Sequence, residues 1–339
     1  KDFNEICEEI KNYDIEIYTK YMQLKNIENE YITESDLLKK LDITHEKLKQ
    51  HLLDLKEAGY LIKIDAEKGY KLESIPDILE PFEISRGLDT NYIGHSIHLY
   101  KELESTNTTA KKFVEQDAKE GTIIIAESQT AGRTRKHDGW VSPEGGIYMT
   151  MILRPEVSLK EASKLTIVTG VAIAKTLHDV FDIDVGIKWP NDLLIGNKKI
   201  CGILTEAVTD YDEIKAVLVG IGVDVNFDED KLPDKLKDVA TSVKAELDTE
   251  YNRAEIIKEF FKVFEELYEQ YKKHDFKYIV SEWRRLSTTT GNRVKVYTGR
   301  KVIYADAVGI TNEGALIIEH EDGKLEKVIS GEIEIIDDE

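Results

Sequence analysis

Two short apolar runs at helical spacing come first along the chain: Leu37, Leu38 and Leu41, then Leu48, Leu52 and Leu55. Leucines three or four positions apart share one face of a helix, so each run predicts a short amphipathic helix. Thr33 stands where it can cap the first, with Asp36 near the first turn. The second begins near Thr44 and is closed by Ala58-Gly59, glycine being the residue best suited to a left-handed cap. Then the period changes: Tyr60 to Ile64 and Gly69 to Leu72 read as strands around a polar turn, Asp65 to Lys68, with the dimensions of a wing. Farther on, Thr122 to Ala126 and Ala216 to Gly220 read as buried strands. Lys160 to Phe181 and Arg253 to Lys273 read as amphipathic helices, the latter with Ile256, Phe260, Phe264 and Leu267 on one face. From about Ser287 short strands are parted by Thr298-Gly299, Asn312-Glu313-Gly314 and Asp322-Gly323, turn chemistries that predict a small β-barrel.

The pattern divides the chain into three domains, residues 1–80, 83–286 and 287–339, with Ser74, Pro76 and Pro81 breaking regular structure at the first boundary. A length of 339 residues agrees, since single domains usually run to ~100–200. The fold class is mixed α/β (α+β). Helix, short turn, helix and hairpin make the winged helix-turn-helix pattern, with Thr44 to Glu57 in the recognition position. There Thr44, Lys47, Lys49 and Gln50, with His51 and Lys56, can meet phosphates or base edges of DNA. Glu46, Asp54 and Glu57 sit among them, however, and small helix-hairpin modules also serve as interaction or dimer domains.

Composition narrows the choice. The formal charge is −20, from 66 Asp and Glu against 46 Lys and Arg, which argues against general coating of nucleic acid or anionic membrane. Any DNA binding must be local and oriented. Cys7 and Cys201 lie far apart and without metal-ligand spacing, so neither a disulfide framework nor a zinc site is expected, and a reducing cytoplasmic location fits. The longest apolar-leaning stretch, Leu165 to Leu177, falls short of the ~20 residues needed to span a bilayer, and no signal peptide is visible, so no membrane association is expected.

Four central stretches carry residues suited to nucleotide and carboxylate chemistry. Ser105-Thr106-Asn107 offers short hydrogen-bonding side chains that either cap a following helix or pair with the urea-like head of a buried ligand. Gln129 to Trp140 contains Arg133, Thr134 and Arg135; guanidiniums there can pair bidentately with phosphate or carboxylate, and an indole can close the site or pack on a purine. Surface loops of this composition are also common. Gly186 to Leu194 and Gly196 to Leu204 make a hairpin that carries Lys188, Asn191, Asp192, Lys199 and Gly202; Asn191 and Asp192 can serve a nucleotide-borne Mg²⁺, although such lysines are more often solvated and Cys201 is more often buried packing. Gly220-Ile221-Gly222, followed by Asp224 and Asn226, lets a ligand approach closely or marks a β-bulge.

Together these stretches resemble the biotin protein ligase family, specifically its bifunctional biotin operon repressor type, over nearly the whole chain. Lys188-Trp189-Pro190-Asn191-Asp192 is the most specific match, supported in order by Ser105-Thr106-Asn107, Gln129 to Trp140, Lys199 with Gly202, Gly220-Ile221-Gly222 and Ser330-Gly331-Glu332. The resemblance implies an N-terminal winged helix-turn-helix, a central class II synthetase-like mixed-sheet ligase domain and a C-terminal SH3-like β-barrel. It implies that biotin is activated by Mg-ATP to biotinyl-5′-AMP, then passed to a lysine of a biotin carboxyl carrier protein domain. Lys199, Arg133 and Arg135 would be catalytic. Ser105, Thr106, Asn107, Gln129, Arg133, Thr134, Arg135, Lys199 and Gly202 would bind biotin. Arg135, Trp140, Lys188, Asn191 and Asn226 would bind ATP, and Asp192 the metal. Operator DNA and a homodimer are the further partners it implies.

The chain departs from the family pattern in the loop, where Thr134 replaces a glycine, His137 another, and Asp138 a common cation; Asp224 stands where asparagine is usual. The rival readings are a biotin-sensing DNA-binding repressor with weak catalysis and a lipoate-protein ligase. The Lys-Trp-Pro-Asn-Asp string and the terminal barrel favour biotin over lipoate.

Overall fold

A computed structural model describes residues 31–135, 139–211, 213–299 and 301–336. The sequence readings that touch Cys7, Lys136, His137 and Asp138 lie outside the described residues. The chain divides into two compact units, one ending at Ile78 and the other beginning at Leu79.

In the first unit, local chemistry sets the elements. Helix α1 (Glu34–Leu41) is capped by Thr33, whose Oγ1 accepts from the Asp36 N–H at 3.2 Å and donates to the Asp36 carboxylate at 2.7 Å. Helix α2 (His45–Glu57) is capped by the Thr44 hydroxyl, and Gly59 follows it at φ +93°. Leu37, Leu41, Leu48 and Leu55 are buried. Strands β1 (Leu61–Asp65) and β2 (Gly69–Ser74) pair antiparallel around a turn in which Asp65 Oδ1 accepts from the Glu67 and Lys68 N–H groups, both at 2.9 Å. Thr44, Lys47, Lys49 and Gln50 are exposed, and the Gln50 amide donates to Asp54 at 2.8 Å.

The second unit is built on a mixed sheet. After the short α3 (Pro81–Ser85), β3 (Ser96–Leu103), α4 (Thr106–Glu115) and β4 (Thr122–Gly132) form a parallel crossover. β5 (Trp140–Ser142) pairs with β4, and β6 (Ile147–Leu153) follows. Beyond α5 (Leu159–Ala162) and α6 (Leu165–Lys175) come β7 (Gly186–Lys188), β8 (Asp192–Ile195), β9 (Lys198–Asp210) and β10 (Glu213–Val223). The strand order is β3-β4-β6-β10-β9-β8-β7, antiparallel except for β3 with β4. Helix α7 (Val243–Leu247) precedes the long α8 (Arg253–Lys272) and α9 (Lys277–Leu286).

The sheet has two unlike faces. On one, Val217, Val219, Ile221 and Val223 join α6 and α8 in the main core; on the other, Ala216 and Leu218 meet Ala110, Phe113 and Val114 of α4. The amphipathic helix expected over residues 160–181 is corrected in character. It is divided into α5, α6 and a π-helical turn at Thr176–Val180, and nine of the eleven α6 residues are buried. The physical reason is enclosure: α6 packs against the sheet, α8 and α9 together, so no face needs to be polar.

Beyond α9, which ends at Leu286, the chain passes into a second sheet. β11 (Arg293–Thr298), β12 (Lys301–Ile310), β13 (Leu316–Glu319), β14 (Leu325–Val328) and β15 (Glu332–Ile335) form five antiparallel strands in the order β14-β13-β12-β11-β15. Its buried residues continue the main core. Trp189, 2% exposed, ties the sheets together: its N–H donates to Thr289 Oγ1 at 2.9 Å and its indole to the Gly314 carbonyl at 3.1 Å. Among the described residues no helix is long and apolar enough to cross a membrane.

Candidate functional site

The α4 face of the sheet opens into a pocket beyond the end of that helix. Its wall gathers Ser105, Thr106 and Asn107; Gln129, Arg133, Thr134 and Arg135; Trp140; Asn191; and Lys199, Gly202, Gly220 and Gly222. Residues from all four central stretches of the sequence thus meet in one place.

The floor is a continuous set of hydrogen bonds. The Thr106 N–H donates to Gln129 Oε1 at 2.9 Å, and Gln129 Nε2 donates to Ser142 Oγ at 2.9 Å. Thr150 Oγ1, fully buried on β6, lies 2.8 Å from Thr106 Oγ1 and 2.6 Å from Asn107 Oδ1. Asn107 Nδ2 donates to Glu206 Oε2 at 2.8 Å. Ser105 holds the N-cap position of α4 but makes no side-chain capping bond.

The glycines clear space rather than bend the strand. β9 and β10 stay in register through Gly202, Gly220 and Gly222, and no bulge occurs there. A Cβ on Gly220 would stand 2.1 Å from Asn107 Oδ1, and one on Gly222 or Gly202 would stand 2.7 Å from the Trp140 ring. The indole therefore lies over two bare stretches of strand. Side chains as small as alanine would push it or the Asn107 amide out of place.

Lys199 reaches the wall by a bulge. In the β8–β9 pairing Leu193 meets Cys201 but Leu194 meets Lys199, so Ile200 is the extra residue and the side-chain alternation is reset. Ile200 and Cys201 both enter the core, while Lys199 joins the pocket. Its Nζ lies 2.7 Å from Asp192 Oδ1 and 5.0 Å from the centre of the Trp140 ring. Burial pushes the Cys201 thiol well above its ordinary value, in keeping with a packing role.

Three expected nucleotide or metal residues stand apart from the wall: Lys188, Asp192 and Asn226 do not line it. Asp192 meets it through Lys199. Both ends of the Asn226 amide are engaged by the Tyr251 backbone, Nδ2 donating at 2.6 Å and Oδ1 accepting at 3.0 Å. Asn191 lines the wall with its Nδ2 on the Ile203 carbonyl at 3.0 Å, and Arg135 Nη1 lies 3.5 Å from the Gly331 carbonyl.

Sequence reading missed Thr150, Ser142 and Glu206. Glu206 accepts both forks of Arg133, at 2.7 and 2.8 Å, and was findable by period: Gly202, Leu204 and Glu206 alternate along one face of β9. Asp224, to which the sequence reading gave no role, is 3% exposed. Burial raises its carboxyl well above the ordinary range against the opposing pull of the Lys199 ammonium. Among the described residues, Asp224 Oδ1, Thr241 Oγ1 and Trp140 Nε1 are buried polar atoms without a hydrogen-bond partner. No group of three His, Cys, Asp or Glu side chains among the described residues forms a metal cage. A single carboxylate such as Asp192, beside Lys199, suits an ion that arrives with phosphate oxygens, since Mg²⁺ is commonly held by one or two carboxylates and its nucleotide.

The chain is similar to known proteins over most of its length. Residues 99–226 match the Biotin/lipoate A/B protein ligase family, and residues 289–335 match the Biotin protein ligase C terminal domain. The chain is 35% identical over 308 residues to the Bifunctional ligase/repressor BirA of Bacillus subtilis, covering 91% of this chain and 94% of that protein. Against the protein of the same name from Escherichia coli K12 it is 28% identical over 298 residues, 87% of this chain and 90% of that one. The structure is similar to the biotin protein ligase from Aquifex aeolicus in complex with biotin and ATP, with a TM-score of 0.62 and 29% identity over 71% of this chain and 99% of that chain. The four-part pocket, the glycine-cleared strands and this length of likeness lead to one assignment: the chain belongs to the biotin protein ligase family.

Proposed function

We propose that this chain activates biotin with ATP and transfers it to a lysine of a biotin carboxyl carrier protein domain, and that its N-terminal unit represses transcription by binding operator DNA. The observation that carries the ligase reading is the single pocket in which Arg133, Arg135 and Lys199 converge with the polar floor of Ser105 to Asn107 and Gln129. Polar residues at the floor suit the ureido ring of biotin, which both donates and accepts hydrogen bonds. Its carboxylate would then lie toward the cations.

In the first step a biotin carboxylate oxygen attacks the α-phosphorus of ATP; the bond to the bridging oxygen breaks and pyrophosphate leaves. In the second, the carrier lysine amine attacks the carbonyl carbon of the anhydride, AMP leaves with the bonding pair, and the amine loses a proton. Both transition states gather negative charge, which Arg133, Arg135 and Lys199 are suited to stabilise because the fold holds such cations in place beforehand. Mg²⁺ brought by the nucleotide, with Asp192 as its protein ligand, would neutralise phosphate charge. Trp140 would shield the anhydride from water, and Asn191 would meet the nucleotide. Lys188 and Asn226 would act by shaping the nucleotide side.

The N-terminal helices and hairpin support a winged helix-turn-helix, with Thr44, Lys47, Lys49 and Gln50 exposed on the recognition helix. The five-stranded C-terminal sheet supports an SH3-like barrel. A homodimer would place two winged helices on a palindromic operator. Of the rival readings, a lipoate ligase is disfavoured by the match of residues 289–335 to the Biotin protein ligase C terminal domain.

The ligase test is ATP-dependent transfer of labelled biotin to a purified carrier domain. Transfer with release of one pyrophosphate per biotin is expected, and its absence with biotin bound would sink the reading in favour of a sensor. For the repressor, Lys47→Ala combined with Lys49→Ala should weaken operator binding about equally for all sequences and flatten its salt dependence. Unchanged gel-shift affinity would remove this helix from the interface.

A further inference from the structure

Arg133 and Asn107 belong to different walls of the pocket, one on the loop after β4 and the other on the first turn of α4. One carboxylate holds them both. Glu206 Oε1 accepts from Arg133 Nη2 at 2.8 Å, and Oε2 accepts from Arg133 Nη1 at 2.7 Å and Asn107 Nδ2 at 2.8 Å. The opposite end of the Asn107 amide takes the Thr150 hydroxyl at 2.6 Å, so the amide is fixed in one orientation. From Thr150 the bonds continue through Thr106 to Gln129 and Ser142.

We propose that Glu206 is a positioning residue for the ligase reaction, tying the arginine loop to the floor of the pocket so that the Arg133 cation is aimed before the ligand arrives. This rests on the ligase reading above. The pair is poorly placed to serve as a stabiliser, because its side chains are 36% and 29% exposed and ion pairs so wetted add little to folding. Its geometry suits orientation instead. A bidentate fork fixes the plane of the guanidinium and uses two of its five N–H groups, leaving the rest for an anion. The Gly220 position is part of the same device, since a Cβ there would collide with the Asn107 Oδ1 that Glu206 holds in place. The ligand then meets a loop whose cation is already aimed, and the ordering entropy is spent in folding rather than in binding.

The variants that test this are Glu206→Gln and Glu206→Asp, in the full chain. Glutamine keeps the shape but, in either flip of its amide, turns an NH₂ toward an Arg133 N–H donor; aspartate keeps the charge one methylene short. Glu206→Gln should raise the KM for biotin by roughly tenfold or more, the scale of a charge-assisted hydrogen bond, and leave the KM for the carrier within about twofold. It should also release biotinyl-5′-AMP to solution several times faster, with Glu206→Asp recovering part of both effects. Tryptic cleavage after Arg133 and Arg135 without ligand should be faster in Glu206→Gln than in the native chain. A variant that melts lower but keeps native KM for biotin and native adenylate release overturns the proposal. A native chain that releases no pyrophosphate sinks the ligase reading alone; the tryptic comparison then still decides, equal cleavage in both chains overturning the tie between loop and floor.

Discussion

The two faces of β10 share one strand and one alternation, yet one is core and the other is chemistry. Val217, Val219, Ile221 and Val223 point into the main core. Their neighbours on the opposite face run from Ala216 and Leu218, under α4, to Gly220 and Gly222, in the pocket. The core face works by filling volume and the pocket face by withholding it. Neighbouring residues on this strand should therefore fail in opposite ways when altered.

The largest effect that separates them falls on folding. Ile221→Ala removes buried apolar volume and should cost about 2–5 kcal/mol of stability, read as a lower melting temperature and denaturation midpoint, a far larger effect than any change in biotin affinity of the surviving native fraction. Lys199→Ala should do the reverse: adenylate formation falls roughly 10²–10³-fold while melting shifts little, the scale of removing one preorganised charge. Retained activity in that variant would assign the chemistry to other groups. Gly222→Ala should follow with roughly a tenfold or greater loss in kcat/KM, as its Cβ drives Trp140 aside, again with modest change in melting. If Gly222→Ala instead unfolds the protein and Ile221→Ala only weakens binding, the contrast between the faces is wrong.

The smallest effect concerns Asp224 at the end of the same strand. Its folded-state carboxyl titrates well above the ordinary 3.8, so the folded chain holds a proton that the unfolded chain has already lost. By linkage its contribution is favourable at low pH and is lost as pH rises above about 3.8 toward the folded value. Asp224→Asn, neutral at every pH, should melt higher than the native chain near neutrality. That gain should shrink as the pH is lowered toward the ordinary carboxylate value. A gain that is constant with pH would mean that the carboxyl is not the cause.

Much of this was legible along the chain because the forces involved are local. Thr33 and Thr44 cap helices with partners three residues away, and Asp65 folds its turn with partners two and three away. The clustered polar, cationic and glycine residues at 105–107, 129–140 and 188–202 were also readable as candidates, since their types are ill suited to a core. The family string proved mixed in content: Trp189 is a buried tie to the C-terminal sheet, whereas Asn191 lines the pocket.

What the sequence determined by itself was therefore the kind of each element and the chemistry on offer, both set within a few residues by period, caps and turn types. Tertiary structure alone decided which groups meet. Glu206 finds Arg133 across 73 positions and Asn107 across 99, and only the pairing of β9 with β10 brings that carboxylate beside α4. Lys199 lies in the pocket because a bulge against β8 reverses the alternation, which nothing within the strand announces. Helix α6 is apolar all round because sheet and helices enclose it. Contacts of this range are fixed by strand register and layer packing, which emerge only when the whole chain has found its partners.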